Sequence, residues 1–143
     1  MKIRKANIKD LKRIIKLFKK EYAKPPYNEN WTQEIANIKI KEYFKSSKIF
    51  VIVLNNVVQG FIIVHDYQWH VGLRGFIDEL VVNSKVQGRG YGKMLLGFVE
   101  NYFKDKNAKE ISLISSPKSI AFNIYKKLNY NEEKLKLMVK KIK

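Results

Sequence analysis

Apolar positions along the chain follow two periods that alternate in blocks. Residues 3–6 read as a short first strand. Ile8, Leu11, Ile14, Ile15, Phe18 and Tyr22 then recur at helical spacing and predict an amphipathic helix. Asn7 is placed to cap that helix, with Asp10 three residues later to complete a capping box. Pro25, Pro26, Asn28 and Asn30 predict a loop, and Trp31, Ile35, Ile38 and Tyr43 a second helix ending near Lys45. Two β-branched apolar runs, 49–54 and 57–65, are separated by Asn55-Asn56, which is a hairpin signal. Residues 75–82 read as another strand. Leu95, Phe98, Val99 and Tyr102 mark a third helix, and 110–114 a further strand. Ser116-Pro117 reads as an N-cap and first turn leading to a short helix over 121–128. Residues 135–142 alternate weakly and predict a closing strand, with one more short strand near Tyr130.

The predicted order is β-α-α-β-β-β-α-β-α-β, plus that short extra strand. Hairpins in the middle and crossover helices later imply a mixed α/β fold. Its central sheet is mixed, mostly antiparallel, with about four helices on its faces.

Composition narrows the chemistry. The 143 residues suit a single domain, 1–143. There is no cysteine, which excludes disulfides, thiolate metal sites and a cysteine nucleophile. His65 and His70 have no metal-ligand spacing with other side chains, so no metal is expected. Met1-Lys2-Ile3-Arg4-Lys5 is not followed by an apolar targeting segment, and no run approaches the roughly 20 apolar residues of a membrane span. A cytoplasmic protein without a membrane partner is the expectation.

The formal net charge of +16 suits an anionic partner. The lysines are dispersed, which favours solvated surface charge over a nucleic-acid-binding module with one basic face. Between residues 49 and 84 the only lysine or arginine is Arg74, while Asp66, Asp78 and Glu79 lie in the same stretch.

Gly88, Gly90 and Gly92 stand at alternate positions between a predicted strand and a predicted helix. Such a turn aims successive backbone N–H groups into one concavity, and the helix start adds partial positive charge, so the segment can hold phosphate oxygens. The Gly-Lys-Ser/Thr ending of a P-loop is missing, and the spacing fits the dinucleotide fingerprint poorly.

The run Gln87-x-x-Gly90-x-Gly92 resembles the pyrophosphate loop of the GNAT (GCN5-related) N-acetyltransferase superfamily, whose pattern is Gln/Arg-x-x-Gly-x-Gly/Ala. Asp78-Glu79-Leu80-Val81-Val82 is similar to the strand feeding that loop. Ala121-x-x-x-Tyr125-x-x-Leu128-x-Tyr130 is similar to the family's later helix and aromatic. The three blocks are in register over residues 76–130. Two departures stand out: Lys118 where many relatives carry asparagine, and Asn129 where many carry glycine.

The resemblance implies an N-acetyltransferase that passes the acetyl group of acetyl-CoA to a primary amine on a small molecule or a protein. It implies that amides of Gly88, Arg89, Gly90, Tyr91, Gly92 and Lys93 hold the pyrophosphate, with Gln87, Lys118 and Ala121 beside the cofactor. Amides of Leu80, Val81 and Val82 would pair with the pantetheine arm, and one of them would hold the oxyanion. Tyr125 takes the role of acid toward the thiolate, and Asp78 or Glu79 that of base. Because neighbouring strand residues face opposite sides, only one of those two carboxylates is expected to point at the amine. Tyr67, Trp69 and His70 can line the acceptor site or simply pack a hairpin end. A non-catalytic acyl-CoA sensor on the same fold is the alternative, and a homodimer is open.

Overall fold

The computed structural model describes residues 1–142. Strand β1 (Lys2–Lys5) leads through a 3-10 turn into helix α1 (Leu11–Tyr22), then α2 (Gln33–Ser46), β2 (Lys48–Leu54), β3 (Val57–Trp69) and β4 (Gly72–Val82). After a second 3-10 turn come α3 (Tyr91–Asp105), β5 (Glu110–Leu113) and α4 (Ile120–Lys127). The sheet runs β1-β2-β3-β4-β5; every pairing is antiparallel except the parallel contact of β4 with β5. This is the mixed α/β architecture that the periodicity predicts.

Both faces of the sheet are covered, which explains why β2 reads as a continuous apolar run. Ile49 and Val51 join α1 and α2 in one core with Ile14, Phe18 and Ile40. Their neighbours Phe50 and Ile52 point the other way, into a core with Leu95, Val99 and Phe103 of α3. The Asn55-Asn56 turn takes φ of 49° and 64°, the left-handed geometry that asparagine tolerates and a two-residue hairpin requires.

The start of α1 is tied down as its sequence implies. The Asn7 side chain accepts from Lys9 N–H, and the Asp10 carboxylate accepts from Asn7 N–H at 2.9 Å. Arg4 on β1 grips the same carboxylate with two nitrogens at 2.7 and 3.0 Å. These bonds, led by the one from Arg4, hold the Asp10 carboxyl below its ordinary range. A group with a depressed folded pKa stabilises above its unfolded pKa and loses that contribution as pH falls through the folded value. Asp10→Asn is therefore expected to cost about 1–2 kcal/mol at neutral pH, the range for a lost helix cap. In urea melts the deficit should shrink below about pH 4.

Three details differ from the sequence reading. In α2 the buried face is Ala36, Ile40 and Tyr43, whereas Ile35 and Ile38 are 52% and 55% exposed. Alanine is a weak apolar marker, so the periodicity was carried by the wrong residues. Helix α4 is capped by Ser119, whose Oγ accepts from Phe122 N–H at 3.1 Å, and Ser116-Pro117 only form the turn before it. The third concerns the end of the chain: neither the closing strand over 135–142 nor the short strand near Tyr130 forms. Leu135 and Met138 are 90% and 91% exposed, and no strand follows α4 among the described residues. Alternation can mark a segment fit for a sheet edge, but it does not supply the edge.

Candidate active site

The site is organised by one irregularity in β4. Ile63 of β3 pairs with Glu79 and Val64 pairs with Ile77, so Asp78 is an extra residue with no partner. Such a bulge breaks the side-chain alternation. Ile77 and Leu80 stay on the α3 side of the sheet. Asp78 and Glu79, consecutive in sequence, both turn toward the α1–α2 side, where each feels the charge of Lys39 on α2. The expectation that only one carboxylate reaches this face is thus corrected: the bulge brings both.

The two carboxylates are held differently. Glu79 accepts from the Tyr22 hydroxyl on one oxygen and the Tyr43 hydroxyl on the other, each at 2.6 Å. Asp78 Oδ2 lies 2.7 Å from His65 Nδ1 on β3, and its Oδ1 has no hydrogen-bond partner among the described residues. Burial pushes both carboxyl groups above their ordinary range, opposed at Asp78 by His65 and at Glu79 by the two tyrosines. Burial likewise raises the Tyr22, Tyr43 and Tyr125 hydroxyls, so all three are protonated at neutral pH.

Just past the bulge the sheet opens. β4 and β5 pair only from Arg74–Glu110 to Ile77–Leu113. Beyond that point the outward backbone groups of Asp78 to Val82 have no strand beside them. A cavity of about 220 Å³ lies here, lined by Ile77 to Leu80, by residues 113–116 at and beyond the end of β5, by Ala121 and Tyr125 of α4, and by Phe18, Tyr22, Tyr27, Glu29 and Trp31. Asp78, Glu79, Leu80, Ala121 and Tyr125, all singled out from sequence, therefore meet at one opening.

The glycine segment begins where β4 ends. Asn83 is buried, accepts from Lys85 N–H and donates to Gln59, and Gln87 donates its side-chain amide back to the Val82 carbonyl at 2.9 Å. Gln87 thus braces the loop. Gly88 and Gly90 adopt φ of +82° and +85°, and a Cβ built on either meets no atom within 4 Å. Gly90 is the N-cap of α3 and offers no side chain to its free amides. The amides of Tyr91, Gly92 and Lys93 thus begin a helix with nothing in the chain capping them from Gly90. Gly92 has no positive φ, and its nearest neighbour would be Val82 Cγ2 at 3.8 Å. Arg89, Lys93 and Lys118 are exposed.

Tyr125 is fixed by the way α4 ends. Asn129 takes φ +70°, Tyr130 N–H reaches back to the Tyr125 carbonyl at 3.0 Å, and Asn129 N–H to Lys126 at 3.1 Å. This is a Schellman cap, with asparagine serving where glycine is usual. The Tyr130 ring packs 5.7 Å from the Tyr125 ring, and its hydroxyl donates to Glu100 of α3 at 2.8 Å. The Tyr125 hydroxyl makes no hydrogen bond within the described residues and faces the cavity.

Some residues are placed elsewhere than the sequence suggests. Because β3 runs on to Trp69, the aromatic group Tyr67, Trp69 and His70 packs a hairpin end; Trp69 lies over Arg74 at 5.0 Å, and none of the three lines the cavity. His65, Tyr22, Tyr43, Tyr27, Glu29 and Trp31 were not recognised as site residues. Tyr22, Trp31 and Tyr43 carried a signal, and it read as helix core. Among the described residues no group of three or more His, Asp or Glu is placed to hold a metal ion, and no helix is long and apolar enough to cross a membrane.

The site thus lies where a mixed sheet opens at a bulged strand that is followed by a glycine turn into a helix. The sequence matches the Acetyltransferase (GNAT) family over residues 11–130, and the chain belongs to that family. Solved structures with the same fold include a possible acetyltransferase from Clostridium difficile 630, 19% identical with TM-score 0.85, covering 99% of this chain and 97% of that one. An aminoglycoside acetyltransferase from an uncultured soil metagenomic sample, in complex with sisomicin, is 18% identical with TM-score 0.78, covering 99% and 96%. A transcriptional regulator from Bacillus halodurans C-125 is 20% identical with TM-score 0.77, covering 96% and 99%. At such identities the likeness concerns the fold.

Proposed function

We propose that the protein transfers the acetyl group of acetyl-CoA to a primary amine by direct attack, with Asp78 as base and Tyr125 as acid. The observation that carries the reading is the convergence of the bulged carboxylates, the free edge of β4 and the Tyr125 hydroxyl on one opening, with the uncapped start of α3 following the end of the same strand. The amides of Gly88 to Lys93 bind the pyrophosphate, and the outward groups of Leu80 to Val82 pair with the pantetheine arm as an added strand would. One N–H there faces the thioester oxygen, and a pre-aimed donor of this kind contributes on the order of 3 kcal/mol to transition-state stabilisation.

Proton accounting assigns the side chains. An alkylammonium with a pKa near 10.4 must lose a proton before it attacks. Asp78 takes it on its free oxygen and passes it through His65, which is partly exposed, to solvent. Glu79 already accepts two hydroxyls and serves to hold the cation. Attack forms the N–C bond. Collapse of the tetrahedral intermediate breaks the C–S bond, and Tyr125 gives its proton to the thiolate. The nitrogen then sheds its second proton to the Tyr125 phenolate, restoring the acid. One proton is released per turnover, and no redox partner or metal is needed.

The test is release of free coenzyme A from acetyl-CoA over a panel of amines, comparing the native chain with Tyr125→Phe. The native protein should turn over at least one amine, and the variant should lose about 10-fold to 100-fold in kcat with little change in KM for acetyl-CoA. Because a thiolate leaves readily, the effect sits at the low end of acid catalysis. No turnover with any amine would instead favour an acyl-CoA sensor.

A further inference from the structure

The chain carries 29 lysines and arginines, yet none of those among the described residues lines the cavity, whose charged lining groups are Glu29, Asp78 and Glu79. The charges stand at two depths. Asp78 and Glu79 lie at the inner end, largely withdrawn from solvent, whereas Glu29 is exposed at the mouth in the α1–α2 loop. Between them the wall is aromatic. Tyr27 packs edge-on against Tyr22 at 4.9 Å, Tyr22 against Phe18 at 4.9 Å, and Phe18 against Trp31 at 4.7 Å.

This mouth is pre-arranged. Glu29 N–H donates to the Tyr22 carbonyl at 2.9 Å, which pins the loop to the end of α1. The Trp31 indole N–H donates to Glu29 Oε1 at 2.7 Å and leaves Oε2 free. Phe18, against which Trp31 rests, is fully buried, so the anchor is part of the core. A carboxylate beside the faces and edges of tyrosine and tryptophan, with no ion-pair partner among the described residues, is a receptor for an organic ammonium.

We propose that the acceptor is a flexible alkyl diamine or polyamine, bound with the reacting nitrogen at Asp78 and a second ammonium at Glu29, Tyr27 and Trp31. This rests on the acetyltransferase reading and names its substrate class. Two carboxylate ends joined by an aromatic wall match two ammonium ends joined by methylenes. A free amino acid would bring its own carboxylate into a cavity with no basic group to receive it. An aminoglycoside would bring many hydroxyls against a wall that offers, apart from the carboxylates, little more than Ser115, Ser116 and the tyrosine hydroxyls. The cavity, about 220 Å³, is also below the roughly 300–1,000 Å³ usual for larger ligands.

The experiment measures kcat/KM with acetyl-CoA for spermidine, 1,4-diaminobutane, butylamine, free lysine, a lysine-containing peptide and sisomicin, on the native chain and on Glu29→Gln. Spermidine and the diamine should exceed butylamine and lysine by about 10-fold or more, and Glu29→Gln should bring the diamine-to-monoamine ratio close to one. Equal use of butylamine, preference for sisomicin or the peptide, or a ratio unchanged by Glu29→Gln would overturn the proposal. Calorimetric titration of spermidine into protein with coenzyme A separates the two layers. Heat that weakens in Glu29→Gln without turnover of any amine would keep the cation site and refute the transferase reading. Absence of heat would refute the cation site, whatever the protein does with acetyl-CoA.

Discussion

Replacing Gly90 with valine is expected to raise the dissociation constant for coenzyme A about 100-fold while the protein still folds. The residue stands at φ +85°, where a β-branched side chain costs about 1–2 kcal/mol relative to glycine. Apart from the adjoining residues, none of the described atoms lies within 4 Å of a Cβ built there, so the cost falls mainly on the backbone. The new side chain fills the open space above the amides that begin α3, where the proposed reading puts the diphosphate. Losing one or two hydrogen bonds to a charged group, each worth about 1.5–3 kcal/mol, gives the stated change. Gly92→Ala is the control. Its φ is not positive and its Cβ would make an ordinary contact with Val82 at 3.8 Å, so its affinity should change by less than about threefold. Calorimetry with coenzyme A, alongside thermal melts of both variants, decides the matter. Equal affinities for Gly90→Val and the native chain would remove the pyrophosphate from this loop.

Asp78→Asn should lower kcat/KM for the amine by about 100-fold to 1,000-fold at neutral pH, and the deficit should close as pH rises. The reason is the acceptor's own ionisation. With a pKa near 10.4, only about one amine in a thousand is free near pH 7.4 without a local base. The native enzyme's rate should fall on the acid side as Asp78 takes up a proton. That limb lies above the ordinary carboxyl range because burial raises the group, against the opposing pull of His65. In Asp78→Asn the limb moves to the amine's own titration, and the rate climbs about tenfold per pH unit toward pH 10. His65→Gln keeps Asp78 but removes the imidazole 2.7 Å from it. It should lower kcat by about 3-fold to 30-fold and shift the acid limb without abolishing it, which a purely structural role for His65 would not do. A flat ratio of native to Asp78→Asn across pH 6–10 would assign the proton elsewhere, with Glu79 the next residue to test.

Much of this site was legible before any coordinates. Gly88 and Gly90 announce a tight turn because only glycine takes φ near +85° freely, and the apolar blocks on either side announce the strand and helix it joins. The register from Asp78 through Tyr125 to Tyr130 picked out side chains that line one cavity. Asn129 was readable as a glycine substitute, and the Schellman cap at φ +70° uses it that way.

The closing strand was not legible, because residues 135–142 carry the right alternation whether or not an edge receives them. The acceptor groups were not legible either: Tyr22 and Trp31 look like core, and Glu29 like one more loop carboxylate, until α1 and the loop after it fold over β4.

Local sequence, then, determined the elements from β1 to α4 and the glycine turn, since periodicity and backbone freedom are properties of a residue and its near neighbours. Tertiary structure alone decided that Asp78 and Glu79 share a face, that His65 backs one and two tyrosines hold the other, and that β4 parts from β5 beside them. A bulge is set by how two strands register against different cores on their two faces, and that balance is struck between residues far apart in the chain.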